Sequence, residues 1–363
     1  MTTKIRALRL PALGLLLGLS LGACQKSDTT GSTPTPTPNP NPTPVATTFT
    51  NPLLASGPDP WVYQKDGYYY FLATSGGDVR IRKTAKMSEL ATGPIVIAWQ
   101  PSPTNTINSH DIWAPELHFL DGKWYIYFTA GPGSCCGGQR LWVLENANAD
   151  PTQGTWTEKG RIYNPSADFW AIDGTVFEQN GKRYMLWSGH INNTDDTQRI
   201  YISEMSNPWT LTGPRVELSH PDYAWEKSGP IPINEGPEII QHGGKTFLTY
   251  SASHCFTDDY ALGMLSMSST GDPLNATAWT KSATPVFSTN AAGGAYGPGH
   301  NGFFVSKDGT ENWLLYHANN LVGQGCGDNR NPRIQKFTWN TDGSPNFGTP
   351  APINTAMPRP AGE

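Results

Sequence analysis

Charge is scarce in this chain. Only 15% of its 363 residues are Asp, Glu, Lys or Arg, and the formal net charge is −5. No basic stripe is present, which argues against nucleic acid or other polyanions as natural partners. Long helical periodicity is also missing, so the chain does not read as a helical protein. Cysteine is limited to five residues, none in the CxxC or Cys/His spacing of a zinc site. An Asp-rich calcium loop is absent as well, and no second globular domain separates from the first.

Turn-formers and aromatics are plentiful instead: 38 Gly, 32 Pro, 13 Trp and 14 Tyr. That balance suits many short strands joined by tight turns. The ends of the chain have a different character. Lys4, Arg6 and Arg9 precede an apolar run from Leu10 to Leu21, too short to span a bilayer and shaped like a secretory signal. The run ends in Leu21-Gly22-Ala23-Cys24, which resembles the lipobox of bacterial lipoproteins and implies cleavage before Cys24 and lipidation of its thiol. Gln25 rather than Asp follows, which in enteric bacteria favours the outer membrane. Residues 1–23 are therefore expected to be a lipoprotein signal peptide. Residues 24–47, nearly all Thr, Pro, Asn and Ser after the lipidated Cys, should form an extended tether. Globular sequence occupies 48–363. The remaining cysteines, Cys135, Cys136, Cys255 and Cys326, are even in number in an exported chain. They suggest two bridges, or one bridge plus buried thiols, with Cys255–Cys326 the more plausible long-range pair.

Five times, near sixty residues apart, a short apolar run leads into a turn and then an aromatic-rich strand. The copies read DPWVYQKDGYYYFLAT from Asp59, APELHFLDGKWYIYFTA from Ala114, DGTVFEQNGKRYMLWSG from Asp173, EGPEIIQHGGKTFLTYSAS from Glu235 and GHNGFFVSKDGTENWLLYHA from Gly299. Asp66-Gly67, Asp121-Gly122, Asn180-Gly181, Gly243-Gly244 and Asp308-Gly309 are residues that two-residue hairpin turns demand. Each copy thus reads as an inner hairpin, and the whole as an all-β, five-bladed β-propeller. The inner strands of a propeller converge on one axis. They would bring Asp59, Ala114 to Glu116, Asp173, Glu235 and His300 to one mouth. Three carboxylates with no cation in their own motifs are costly to gather unless they do chemistry or hold a cation.

At these residues the chain resembles glycoside hydrolase family 43: Asp59-Pro60, WAPE at 113–116, AIDGTVF around Asp173, NEGPE around Glu235 and YGPGHN around His300 match its motifs in order. WSGH at 187–190, MSNPW at 205–209, YSAS at 250–253 and FTW at 337–339 are most similar to the branch with α-L-arabinofuranosidases. The resemblance implies an inverting glycosidase with Asp59 as general base, Glu235 as general acid and Asp173 as the group that orients the acid and raises its pKa. Such an enzyme needs its two carboxyls roughly 6.5–9.5 Å apart, with water between. Glu238 competes with Glu235 for the acid role. Strand alternation is expected to turn the two to opposite faces, leaving Glu238 a structural part. Glu116 is expected mainly to shape the second inner strand.

His300 is expected at the channel centre, near a water cluster or, through water, a cation such as calcium; a core His bonded to backbone is the other reading. No cofactor is required. Trp61, Trp113, Trp170 and His190 are candidates for sugar recognition, with core packing the alternative for each. Arg333 resembles a fifth-blade Arg that binds the sugar in relatives, and Arg330 is its nearby alternative. The implied activity is exo-acting α-L-arabinofuranosidase on arabinan or arabinose-decorated oligosaccharides, with β-xylosidase and endo-arabinanase as enzyme rivals. The reading from another class is a surface glycan-binding lipoprotein that has lost catalysis. The expected molecule is a monomer that meets the membrane only through its lipid.

Overall fold

Hairpins form where the turn residues lie between β-prone runs, because both turn positions need positive φ. A computed structural model describes residues 47–363 except Ser134, so the signal segment, Cys24 and all but the last residue of the tether lie outside the described residues. Asp66, Asp121, Asn180 and Gly243 take φ between 51 and 56°, and the Gly after each takes 73–79°. The flanking pairs Lys65–Tyr68, Leu120–Lys123, Gln179–Lys182 and His242–Lys245 close two-residue loops. The fifth turn departs from expectation. Val305 pairs with Asn312, so the connection is longer, and only Gly309 of its Asp-Gly pair has positive φ. The Asp308 carboxylate caps this loop by accepting from the Thr310 amide and the Ser306 hydroxyl, a local alternative to the tight turn.

Twenty consecutive strands make five four-stranded antiparallel sheets, the blades of a β-propeller. The inner strands are Trp61–Lys65, His110–Leu120, Ala171–Gln179, Asn234–His242 and Tyr296–Val305. Side-chain alternation explains how the blades cohere. In the second strand of blade 2, Trp124, Ile126 and Phe128 join the core shared with blade 1, while Tyr125 and Tyr127 join the one shared with blade 3. Five apolar clusters result, one between each pair of neighbouring blades.

The chain ends close the ring. Thr48–Phe49 pairs with Met357–Pro358, and the Asn51 side chain both donates to the Ile334 carbonyl and accepts from its amide. The Glu363 side chain accepts from the amides of Met87 and Ser88 at the start of the 3₁₀ helix Met87–Thr92 in blade 1.

Candidate active site

The same backbone device recurs where the inner strands enter the channel. Asp59, Ala114, Asp173, Gly236 and His300 all have φ between 42 and 55°. Asp and His tolerate this left-handed region better than most residues, whereas Ala adopts it at a cost. In blades 2 to 5 the kink coincides with a bulge, as where Trp113 pairs with Thr129 but Glu116 with Tyr127. The kinked amide donates to the preceding blade: Asp59 to His317 Nδ1, Ala114 to Thr74 Oγ1, Asp173 to Thr129 Oγ1 and His300 to Ser251 Oγ, all within 2.8–3.1 Å. Thr74 follows the second strand of its inner hairpin, and Thr129, Ser251 and His317 lie near the end of theirs. That repeat was visible in LAT, FTA, YSA and YHA, but its role needs the neighbouring blade.

Blade 4 breaks the pattern. Its kinked residue is Gly236, not Glu235, so the fourth copy is aligned one residue later than the sequence suggested. The Gly236 amide donates 3.0 Å to the Asp173 carboxylate. A side chain here would be strained by φ of 53° and would meet the His300 ring 3.1 Å from its Cβ. Glycine therefore lets Asp173 and the Glu235 peptide come together.

Asp59, Asp173 and Glu235 line one pocket of about 610 Å³ at this mouth. Asp59 Oδ1 accepts from Arg330 Nη1 at 2.7 Å and Oδ2 from the Thr74 hydroxyl at 2.6 Å. Burial favours its neutral form, but Arg330, His300, His317 and Thr74 outweigh it and hold the carboxyl far below the usual range. Glu235 behaves oppositely. Burial pushes it up, the Tyr260 hydroxyl, donating at 2.9 Å, and Arg330 pull down, the charge of Asp59 pushes up, and the balance is about 7. Burial also drives Asp173 well upward, with Glu235 and Asp59 adding repulsion. These carboxyls sit in one electrostatic well, so a proton retained near neutral pH belongs to the Asp173–Glu235 pair.

Trp113, Trp170 and His190 line the same pocket. The Trp170 ring stacks on His190 with centroids 4.3 Å apart, and its Nε1 donates to the Cys136 carbonyl at 2.7 Å. Both cysteine pairs are bridged, Cys135 to Cys136 and Cys255 to Cys326, and all four residues line the pocket.

Trp61 is elsewhere. It lies two residues beyond Asp59, about 7 Å further along the strand, and its Nε1 donates to the Leu117 carbonyl. Its ring faces a second cavity of about 530 Å³ lined by the far ends of the inner strands. Arg333 is likewise displaced from the mouth. It is fully buried within the strand Asn331–Trp339 and bonds Asn331, Asn319, Asn320 and the Gly294 carbonyl. Arg330, in the loop before that strand, reaches the pocket and Asp59 instead.

Glu238 also corrects the alternation argument. Between Glu235 and Glu238 the strand advances three residues while its partner advances only two, from Ser251 to Thr249. The bulge cancels the expected reversal, and Glu238 is buried in the channel below Glu235. Burial and the neighbouring Glu116 push its carboxyl well upward. Glu116 in turn meets His118 Nε2 at 3.0 Å. This group lies below the mouth, where the charges of Glu116 and Asp173 are still felt by one another.

His300 is buried, with Nδ1 3.4 Å from Asp59 Oδ1 and its pKa lowered mainly by burial. Direct calcium coordination does not fit these atoms. Calcium takes six to eight oxygens, whereas both Asp59 oxygens are engaged and the Arg330 cation lies beside them. His254, beside Cys255 and Cys326, offers no thiolate site either, because both sulfurs are in the bridge.

Residues 49–345 match the pattern of glycosyl hydrolases family 43. The chain belongs to family 43. An extracellular exo-α-(1→5)-L-arabinofuranosidase of Streptomyces avermitilis is 48% identical over 313 residues, 84% of this chain. The chain spans 64% of that relative's length. A protein of the same name from Streptomyces chartreusis is 43% identical, covering 74% of this chain and 82% of its own. Among solved structures, α-L-arabinofuranosidase from Lactobacillus brevis has a TM-score of 0.80 at 40% identity, covering 85% of this chain and 98% of that one.

Proposed function

We propose that this family 43 chain is an inverting, exo-acting α-L-arabinofuranosidase that removes terminal arabinofuranose from α-1,5-linked arabinan or arabinose-decorated oligosaccharides. The observation that carries this reading is the meeting, in one pocket, of the Asp59 carboxyl paired with Arg330 and the buried Asp173–Glu235 pair, whose surroundings favour the protonated form. Asp59 takes a proton from water, whose oxygen forms the new bond to the anomeric carbon. Glu235 gives its proton to the glycosidic oxygen as that bond breaks on the opposite face. Asp173, bonded to the Gly236 amide, orients the acid and shares its proton. Trp113 and the Trp170–His190 stack present apolar surface to the furanose, and Arg330 both holds Asp59 and borders the sugar. No metal is needed in these steps.

The relatives' names support the sugar and the exo mode. In the full chain, residues 1–23 direct export and Cys24 carries lipid, so that residues 24–47 tether a monomeric catalytic domain, 48–363, to the outer membrane or cell surface. Product analysis on linear arabino-oligosaccharides tests the central reading. Arabinose alone is expected, appearing first as the β-anomer by NMR. Oligomeric products would make the enzyme an endo-arabinanase, xylose release from xylosides a β-xylosidase, and binding without release a glycan-binding lipoprotein.

The Tyr260 hydroxyl favours the ionised form of Glu235, so Tyr260→Phe should raise the acid's pKa. Activity requires protonated Glu235 and is lost as pH rises through about 7. The alkaline limb of kcat/KM should therefore move to higher pH in this variant. A limb that stays or moves down would refute the role of this hydrogen bond.

A further inference from the structure

An aromatic ring in the lining of the pocket has no part in the steps above. Phe256 is 63% exposed and yet lines the pocket. Single exposed rings are ordinary on protein surfaces; the way this one is held is not. Its ring lies flat on His254, centroids 4.8 Å apart and planes at 9°. The His254 amide donates to the Ser228 carbonyl at 2.8 Å, and the Phe256 amide donates to His254 Nδ1 at 3.2 Å. On one side of Phe256, Cys255 is bridged to Cys326. On the other, the Asp258 carboxylate accepts from the Gly323 amide at 3.0 and 3.1 Å. Gly325 lies close enough that a Cβ there would be 3.3 Å from the Phe256 ring. The loop 253–260 is thus clasped to the loop 320–330, which also supplies Arg330.

The loop's place in the fold says what the ring can meet. It follows the strand Lys245–Ala252 of blade 4, the blade that carries Glu235, and it ends at Tyr260, whose hydroxyl donates to Glu235. In a single displacement, water enters from the base's side and the leaving group departs on the acid's side. With one face on His254, Phe256 keeps most of its surface exposed in the loop that links the acid's blade to Tyr260. Resting on the function proposed above, we propose that Phe256, backed by His254, is the platform on which the leaving-group sugar stacks. The clasp fixes the ring before substrate arrives, so less ordering is needed on binding. Phe256 thereby favours sugar leaving groups over small ones.

The test compares α-1,5-arabinotriose with methyl α-L-arabinofuranoside, whose alkoxide leaving group is chemically similar but offers no ring to stack. In Phe256→Ala, the ratio of kcat/KM for the triose to that for the methyl glycoside should fall about three- to tenfold, the range of an aromatic stacking contact. The change should lie mainly in KM for the triose, and Phe256→Trp should restore the ratio. An unchanged ratio overturns the proposal, whether both substrates are unaffected or both decline together through a distorted loop. If the wild-type enzyme hydrolyses neither arabinoside, the arabinofuranosidase reading fails first and takes the platform with it.

Discussion

Glu235→Gln is expected to lower kcat on arabino-oligosaccharides about 10²–10⁴-fold, the usual contribution of a general acid. Glutamine keeps the size of the side chain and can still accept from Tyr260, but it has no proton to give a departing sugar alkoxide. The loss should depend on the leaving group. A dinitrophenyl arabinofuranoside, which departs without protonation, should be far less affected, and the alkaline limb near pH 7 should vanish. An equal loss on both substrates would assign Glu235 another role. Glu238, buried further down the channel, is the first place to look in that case.

Asp59→Asn should reduce kcat by at least about a hundredfold whatever the leaving group, because every substrate needs the same activated water. Azide needs no deprotonation and should restore turnover, giving a glycosyl azide of inverted configuration. The variant also strips Arg330 of its carboxylate partner, and a partly buried charge left unpaired is destabilising. Thermal melting must therefore accompany the kinetics. A folded variant with near-wild-type turnover would rule out Asp59 as the base.

Asp59 and Glu235 acquire opposite protonation states although each is buried. At Asp59, Arg330, the two His rings and Thr74 overcome the cost of burial; at Glu235 the surroundings do not. Nothing in DPW or NEGPE encodes that difference, because Arg330 is 271 positions from Asp59 in the chain. Tyr260 reaches Glu235 across a loop of no recognisable pattern. The local motifs could place the carboxyls, but not their partners.

Period-two alternation holds in the blade cores and fails at the channel. Between Glu235 and Glu238, and at the equivalent points of blades 2, 3 and 5, a bulge inserts one residue and restores the face that alternation would reverse. The kinks are written only as Asp, Ala, Gly or His, residues too varied to announce positive φ. Trp61 failed for a related reason, since nearness in sequence to Asp59 still carries it a further turn of the pleat into the channel. Arg333 and Arg330 are three residues apart, and only the point where the strand begins decides which one reaches the mouth.

The blade number, four of the five tight turns, the family and the carboxyls that line the mouth were legible in the chain, because short-range turn chemistry and apolar patterning act within each copy. The packed blades settle which Arg meets Asp59, that the Asp173–Glu235 pair holds the retained proton, that both cysteine pairs border the pocket, and that Gly236 rather than Glu235 takes the kink. Those outcomes depend on contacts between blades. There, burial and neighbouring charge set each group's chemistry, and neither can be read from one copy alone.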